Sequence, residues 1–193
     1  MILEHLKNHT VVLASKSPRR QELLKGMGVP FVCLTKETPE SHPDMPFDEV
    51  PGYLSRQKSM AFDDRELPEH YLLITADTVV IAGDEILGKP ADREEALRML
   101  RLLSGRTHHV VTGVTVRSAT QCKTFSVKSK VMFARLDQGE MEYYVDTYRP
   151  YDKAGAYGIQ EWIGYIGISG LQGSFYNVMG LPTRRLYQVL KSF

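Results

Sequence analysis

The start of the chain combines residue types that could bind phosphate. Leu13–Leu24 (LASKSPRRQELL) places two serines, a lysine and two arginines around the start of a predicted helix, with Ser17 as its N-cap. A helix N-terminus presents free N–H groups and a partial positive charge, and arginine adds bidentate donors that match phosphate oxygens. Cations in a first helical turn oppose the helix dipole, so Arg19 and Arg20 favour an anionic ligand. A capped helix with solvated basic residues is the alternative, and the pattern leaves both open.

Asp77 is a carboxylate inside an otherwise apolar predicted strand, Tyr71–Ile81 (YLLITADTVVI). A buried, unpaired carboxylate is strongly unfavourable, so Asp77 requires a metal, a cation or a hydrogen-bond network. Thr75 and Thr78 make a small polar break around it, which favours a functional site over a salt-bridged structural aspartate. The D-x-D-x-T pattern of covalent phosphotransferases is absent, because residue 79 is Val79.

Two glycine-containing segments resemble ligand-binding loops. Gly83–Lys89 (GDEILGK) matches most of the phosphate-binding P-loop, but Pro90 follows where the Mg²⁺-binding serine or threonine is required. Its first two residues are also typical of a hairpin turn, so we reject a P-loop nucleotidase. In Asp152–Gln160 (DKAGAYGIQ), small residues let the backbone approach a ligand, and Gln160 could both donate to and accept from a base edge. A glycine-rich loop without a ligand is the alternative.

Hydrophobic patterning predicts an α/β fold to position these segments, with one mixed sheet and helices packed around it. The predicted strands are Thr10–Ala14, Tyr71–Ile81, Ile86–Leu87, His109–Val116 and Lys123–Leu136. The predicted helices are Ser17–Lys25, Glu49–Arg65, Asp92–Leu103, 138–148 and Pro182–Leu190. Between Ala154 and Gly180 lie seven of the fifteen glycines, which predicts loops and short strands there.

Length and composition are typical of a soluble globular protein. The chain has 193 residues, 42% hydrophobic and 24% charged, which predicts a single domain over 1–193. No apolar run approaches the about 20 residues of a membrane span, and residues 1–10 do not resemble a secretory signal. Two cysteines without metal-ligand spacing predict reduced thiols in a cytoplasm. His108 and His109 lack spaced partners, so we interpret them as structural or surface residues.

Six segments, in order along the chain, resemble the Maf family of nucleoside triphosphate pyrophosphatases, and within it the dTTP/UTP branch. They are Leu13–Leu24, Ile74–Val80 (ITADTVV), Leu87–Pro90 (LGKP), Met99–Val114 (MLRLLSGRTHHVVTGV), Asp152–Gln160 and Gly173–Pro182 (GSFYNVMGLP). The resemblance implies an elongated mixed sheet with two lobes around a cleft, similar to the inosine triphosphate pyrophosphatases. It also implies cleavage between the α- and β-phosphates, giving a nucleoside monophosphate and pyrophosphate, with Mg²⁺ or Mn²⁺ as cofactor.

The same resemblance implies roles for individual residues. Asp77 corresponds to the proton acceptor that activates the water attacking the α-phosphorus. Glu40 is expected to help Asp77 hold the metal, with a solvated loop carboxylate as the alternative. The residues tied to substrate choice are Arg19, Thr78 and Gln160, and those expected to bind the triphosphate are Ser15, Ser17, Arg20, Lys58, Lys89 and Lys153. The family commonly has glycine where Glu161 stands here.

The expected substrates are dTTP and UTP, with modified pyrimidine nucleotides as further candidates. The resemblance implies a cytoplasmic protein, and a homodimer is a candidate assembly because family members often form dimers. The absence of a long apolar run predicts no membrane partner. Some members of the family are linked to blocking septum formation, so a second hypothesis is a nucleotide-sensing regulator of division. A third, nucleic-acid binding, is disfavoured by the net charge of +1 and by the absence of interleaved basic and aromatic residues.

Overall fold

The protein, described by a computed structural model over residues 4–193, contains one mixed seven-stranded sheet flanked by helices. The strands are β1 (Thr10–Leu13), β2 (Val32–Cys33), β3 (Tyr71–Ala82), β4 (Glu85–Leu87), β5 (Thr107–Arg117), β6 (Cys122–Phe133) and β7 (Ile168–Gln172). The helices are α1 (Pro18–Gly26), α2 (Val50–Met60), α3 (Arg93–Leu103), α4 (Gln138–Tyr148), α5 (Trp162–Gly167), α6 (Phe175–Met179) and α7 (Thr183–Leu190). The predicted α/β class with a mixed sheet is confirmed.

The sheet has the strand order β2-β1-β3-β5-β6-β7, with β4 paired to β3. Strand β1 is parallel to both of its neighbours, and Val12 lies opposite Val32 on one side and Leu73 on the other. A strand enclosed in this way is buried on both faces, which explains its continuous apolar run. Strands β3 and β4 are antiparallel and are joined by a turn at Gly83, whose φ is 60°. The predicted hairpin is therefore confirmed, and with it the rejection of a P-loop.

The chain divides into two compact units. The first unit consists of the described residues up to Asp77 together with Thr112–Val127 and Gly180–Phe193. The second unit consists of Thr78–Val111 and Lys128–Met179. This division agrees with the prediction of two lobes.

In the first unit, α2 packs directly onto β5 because residue 113 has no side chain. A Cβ on Gly113 would lie 2.2 Å from the carbonyl carbon and oxygen of Pro51. A hydrogen bond adds to this contact, since the Ser55 and Thr115 hydroxyls lie 2.9 Å apart. Another ties α2 to β3, where Thr75 Oγ1 donates to the Ser55 carbonyl at 2.7 Å. Lys58, one turn further along α2, is thereby held in a defined place.

Two predicted segments differ from the structure. Helix α2 ends at Met60 rather than Arg65, because Phe62 turns into a core cluster and Asp63 then caps a short 3₁₀ helix, Asp64–Glu66. Between residues 154 and 180, the short helices α5 and α6 accompany β7 where only loops and strands were predicted. These helices have six and five residues, which is too short to show helical periodicity.

No helix in the described part of the chain is long and apolar enough to cross a membrane. Both cysteines, Cys33 and Cys122, are exposed free thiols.

His108 is buried in the second unit, as the structural interpretation of this residue predicts. Its Nε2 lies 2.7 Å from the Tyr157 hydroxyl, and its ring packs edge-on against Phe133. Burial, with a smaller contribution from His109, lowers the pKa of His108 from 6.5 to about 4. The imidazole is therefore neutral in the folded protein at neutral pH.

We expect this histidine to weaken the fold in acid. Because the pKa is lower in the folded state, the unfolded chain binds more protons between pH 6.5 and 4. The stability associated with neutral His108 is complete above pH 6.5 and decreases as the pH falls toward 4, by about 2–3 kcal/mol in total. Urea unfolding at pH 7 and pH 4.5 measures this loss in the wild type and in the His108→Phe/Tyr157→Phe variant. The variant should lose about 2 kcal/mol less than the wild type between the two pH values. His42→Phe, at an exposed position, is the control, and equal losses in all three proteins would contradict a buried neutral imidazole.

Candidate active site

The predicted catalytic residue Asp77 is buried in the first unit and forms an ion pair with Lys58. Lys58 Nζ lies 2.6 Å from Asp77 Oδ1, and the two side chains are only 19% and 11% exposed. The same Nζ lies 3.0 Å from Glu40 Oε1, on the loop that precedes α2. Lys58 is thus the cation that the burial of Asp77 requires, and the ammonium brings Glu40 and Asp77 to one place.

Strand and helix geometry explain this pairing. Side chains alternate along a strand, so Thr75 and Asp77 lie on the same face of β3. Ser55 and Lys58 are three residues apart, so they are neighbours on one side of α2. The hydrogen bond from Thr75 to the Ser55 carbonyl and the ion pair between Asp77 and Lys58 are therefore parallel links between the same two elements.

The donor atoms at this place fit a divalent cation. Two carboxylates converge on one positive charge, and carboxylate oxygens are ligands that Mg²⁺ and Mn²⁺ prefer. Within residues 4–193, no group of three or more His, Cys, Asp or Glu side chains is gathered to hold a metal. Two carboxylates are sufficient for Mg²⁺ where substrate phosphates and water supply the other ligands. Glu40 and Asp77 therefore fit the metal role predicted for them.

Ser15 and Ser17 lie at the start of α1, but not as a conventional serine cap. Ser17 occupies the N-cap position, and its side chain makes no capping hydrogen bond. Its backbone N–H instead donates to Ser15 Oγ at 3.2 Å, and Ser15 is buried. Ser17 is therefore at the predicted N-cap position, but its side chain does not supply the capping hydrogen bond.

Arg20 connects α1 to the strand that carries the catalytic residue. Its Nε donates to the Gly180 carbonyl and its Nη1 to the Ala76 carbonyl, both at 2.8 Å. Burial lowers the pKa of the Arg20 guanidinium, although arginine remains charged at any ordinary pH. Arg19, one residue earlier in the first turn of α1, is half-buried. The first unit therefore places a fixed positive charge beside the residue that precedes Asp77.

In the second unit, Lys153 and Gln160 both pack against the backbone of Gly158. A Cβ on Gly158 would lie 3.0 Å from Lys153 Cε and 3.1 Å from Gln160 Nε2. The Lys153 ammonium is buried and donates to Asp152 Oδ1 at 2.7 Å. Gln160 Oε1 is buried and has no hydrogen-bond partner within the described residues. The structure therefore brings Lys153 and Gln160 together and leaves Gln160 Oε1 able to accept a hydrogen bond from a ligand.

Thr78 and Lys89 belong to segments that contact this loop. The side chain of Val80 lies 3.0 Å from the position of a Cβ on Gly155, and Thr78 shares that face of β3 by strand alternation. The Gly155 N–H donates to the Gly88 carbonyl at 3.0 Å. Lys89, the next residue, is exposed.

Sequence reasoning did not identify two further residues of this loop environment, Tyr144 and Glu161. The Tyr144 hydroxyl donates to Glu161 Oε2 and accepts from the Gly158 N–H at 3.0 Å. Glu161 Oε1 lies 3.0 Å from Lys153 Nζ. Burial and the bond to Glu161 both raise the pKa of Tyr144, which stays a neutral hydroxyl. The available signal was Glu161 itself, a carboxylate at a position where the resembling family commonly has glycine.

Comparison with known proteins gives matches along the whole chain. The family model described as Maf-like protein matches residues 10–193. A dTTP/UTP pyrophosphatase of Porphyromonas gingivalis is 53% identical over 197 residues, covering 100% of this chain and 98% of the relative. One from Parabacteroides distasonis is 51% identical over 194 residues and covers 100% of both chains. A crystal structure of a nucleoside-triphosphatase, or dITP/XTP pyrophosphatase, from Mycobacterium abscessus superposes with a TM-score of 0.37 at 13% identity, over 66% of this chain and 75% of that chain.

Proposed function

Since the chain belongs to the Maf family, we propose that it hydrolyses dTTP and UTP to the nucleoside monophosphate and pyrophosphate. The full-length relatives at 51% and 53% identity that are named dTTP/UTP pyrophosphatase support this choice of substrate. The single observation that carries the chemistry is the buried Asp77 carboxylate, fixed by Lys58 beside Glu40. Modified pyrimidine triphosphates belong to the same substrate class.

In this proposal Asp77 is the proton acceptor for the attacking water. Lys58 holds Asp77 through Oδ1, and we assign Oδ2 to take the proton as the water oxygen approaches the α-phosphorus. Mg²⁺ or Mn²⁺ held by Glu40 and Asp77 would neutralise triphosphate charge and polarise the phosphate under attack. The remaining charge of the triphosphate is balanced by donors that this chain supplies, namely Ser15, Ser17, Arg20, Lys58, Lys89 and Lys153.

Gln160 is proposed to read the base. Uracil and thymine present an N3–H donor beside a carbonyl acceptor, and an amide side chain complements both. The buried Gln160 Oε1 without a partner is suited to accept from N3–H, while Nε2 donates to the carbonyl. Cytosine has an acceptor at N3 instead, which would face the Gln160 Oε1 acceptor without a hydrogen between them. Arg19 and Thr78 are proposed to contribute to the same choice of substrate.

The Gln160→Ala substitution should reduce the preference for uracil over cytosine more than it reduces the rate of hydrolysis. We expect the ratio of kcat/KM for UTP over CTP to fall by about 10- to 100-fold, because one buried hydrogen-bonding group is removed. Steady-state kinetics with both nucleotides measure the ratio. Gln172→Ala, an exposed glutamine of β7, is the matched control and should keep the wild-type ratio. An unchanged ratio in Gln160→Ala would remove this residue from base recognition.

A panel of canonical and modified nucleoside triphosphates tests the proposed reaction. The protein is incubated with each nucleotide and Mg²⁺ or Mn²⁺, and the products are separated by chromatography. Monophosphate and pyrophosphate from dTTP and UTP are the expected products. Diphosphate and phosphate would mean that another bond is cleaved. Binding without turnover of any nucleotide would favour the nucleotide-sensing regulator of division.

We further propose that the protein acts in the cytoplasm as a single functional domain and pairs as a homodimer. The two exposed free thiols support a reducing compartment, and one family model extends across both units. The homodimer follows from the family resemblance, and light scattering after size-exclusion chromatography measures it directly.

A further inference from the structure

We propose that Tyr144 and Glu161 are positioning residues that set the base preference by holding the Gln160 side chain. The inference rests on the proposed reading of the base by Gln160. Tyr144 is fully buried on α4, whereas Gln160 lies on the loop that follows residue 152. Tyr144 and Glu161 thus link helix α4 to the loop that carries Gln160, the proposed base contact.

The link consists of hydrogen bonds that converge on one carboxylate. The Tyr144 hydroxyl donates to Glu161 Oε2, and Lys153 Nζ lies 3.0 Å from Glu161 Oε1. The same hydroxyl accepts from the Gly158 N–H at 3.0 Å, so Tyr144 fixes the loop at its backbone and at a side chain. The Glu161 N–H in turn donates to the Gly158 carbonyl at 3.0 Å, which closes the turn around Gln160.

Close packing transmits the position of Glu161 to Gln160. A Cβ on Gly158 would lie 2.9 Å from Glu161 Cδ and 3.1 Å from Gln160 Nε2, so both side chains rest on the same glycine. A side chain at residue 158 would therefore displace both of them. The buried, unpartnered Oε1 of Gln160 then has a defined direction in which to accept a hydrogen bond.

The polar character of this cluster argues for a role in orientation. Burying a lysine and a carboxylate carries a desolvation penalty that apolar side chains of similar volume would avoid. Lys153 also has a second carboxylate partner, Asp152, so neutralising its charge does not require Glu161. What Glu161 adds is a connection between Tyr144 and Lys153, and a fully bonded network of this kind specifies one geometry.

Lys153 is proposed to bind the triphosphate, but neither Tyr144 nor Glu161 is among the residues proposed to contact it. Their loss should therefore change KM and discrimination between bases, while kcat for UTP is retained. A loss of stability alone would instead reduce the amount of active protein and affect all nucleotides equally.

The test is the Tyr144→Phe variant, which removes the hydroxyl and keeps the ring. We expect KM for UTP to rise about 5- to 10-fold and the UTP over CTP ratio of kcat/KM to fall by a similar factor, with kcat within about 2-fold of wild type. Tyr143→Phe is the matched control, since Tyr143 is the exposed neighbour on α4, and it should keep wild-type values. Glu161→Gln, which preserves size on a partly exposed side chain, should shift KM and the ratio in the same direction even if Tyr144→Phe does not fold.

The outcomes separate this inference from the proposed function. Wild-type UTP preference that is lost in Gln160→Ala but kept in both Tyr144→Phe and Glu161→Gln would overturn the positioning role and leave the function intact. An equal fall in kcat/KM for UTP and CTP in these variants would show a merely structural role and also overturn it. A wild-type protein without UTP preference, or with an unchanged ratio in Gln160→Ala, would remove the base-reading function on which the inference rests.

Discussion

The Asp77→Asn protein should fold and bind UTP but release pyrophosphate about 10²- to 10⁴-fold more slowly than the wild type. The amide has the shape of the carboxylate and keeps an oxygen that can accept from Lys58, which also retains Glu40 as a partner. It cannot accept the proton of the attacking water, so the loss should fall on kcat. Single-turnover rates and equilibrium binding of UTP separate these two effects.

A matched control is available on the surface of the second unit. Asp146 is an exposed carboxylate that pairs with Arg93 at 2.6 Å, so Asp146→Asn makes the same chemical change in an ion pair without a proposed catalytic role. Its kcat should stay within about 2-fold of wild type, because exposed ion pairs contribute little. Full activity in Asp77→Asn would exclude Asp77 as the proton acceptor.

The Gly113→Ala substitution should destabilise the protein by about 3 kcal/mol and reduce its activity as well. The added methyl group would meet the backbone of Pro51 at 2.2 Å, and backbone cannot rotate away as a side chain does. Helix α2 must shift from β5, and Lys58 shifts with it. Urea unfolding measures the stability, and the rate with UTP at low temperature reports on the displaced lysine.

Gly26→Ala is the control for this substitution. A Cβ on Gly26, at the end of α1, has no neighbouring atom within 4 Å, so the free energy of unfolding should stay within about 0.5 kcal/mol of wild type or increase. Equal stability of Gly113→Ala and Gly26→Ala would contradict the direct contact between α2 and β5.

The fold was predictable where the local pattern is strong. The apolar run of β1, the turn at Gly83 and the amphipathic face of α3 each depend on neighbours within a few positions, and all three match the structure. Helices α5 and α6 are each less than two turns long, so the sequence shows no helical periodicity for them. The backbone of Gly164 in α5 packs so close to Ile159 that a Cβ on residue 164 would lie 1.8 Å from the Ile159 carbonyl oxygen.

The site was predictable as residue types but not as contacts. The isolated Asp77 in an apolar strand indicated a cation or metal, yet Lys58 lies 19 residues away in sequence, and only the packing of α2 identifies it. Tyr144 and Glu161 are 17 residues apart, and no spacing rule links a helix residue to a loop residue at that distance. The N-cap position of Ser17 was predictable from its residue type, whereas the hydrogen bond from its N–H to the buried Ser15 hydroxyl was not.

Hydrolysis of UTP in ¹⁸O-labelled water tests the central claim most directly, since it identifies the phosphorus atom that water attacks. With wild-type protein and Mg²⁺, we expect one ¹⁸O atom in UMP and none in pyrophosphate, as measured by mass spectrometry of both products. This result places the attack at the α-phosphorus, the step assigned to Asp77. Label in pyrophosphate with unlabelled UMP would place it at the β-phosphorus and contradict the account.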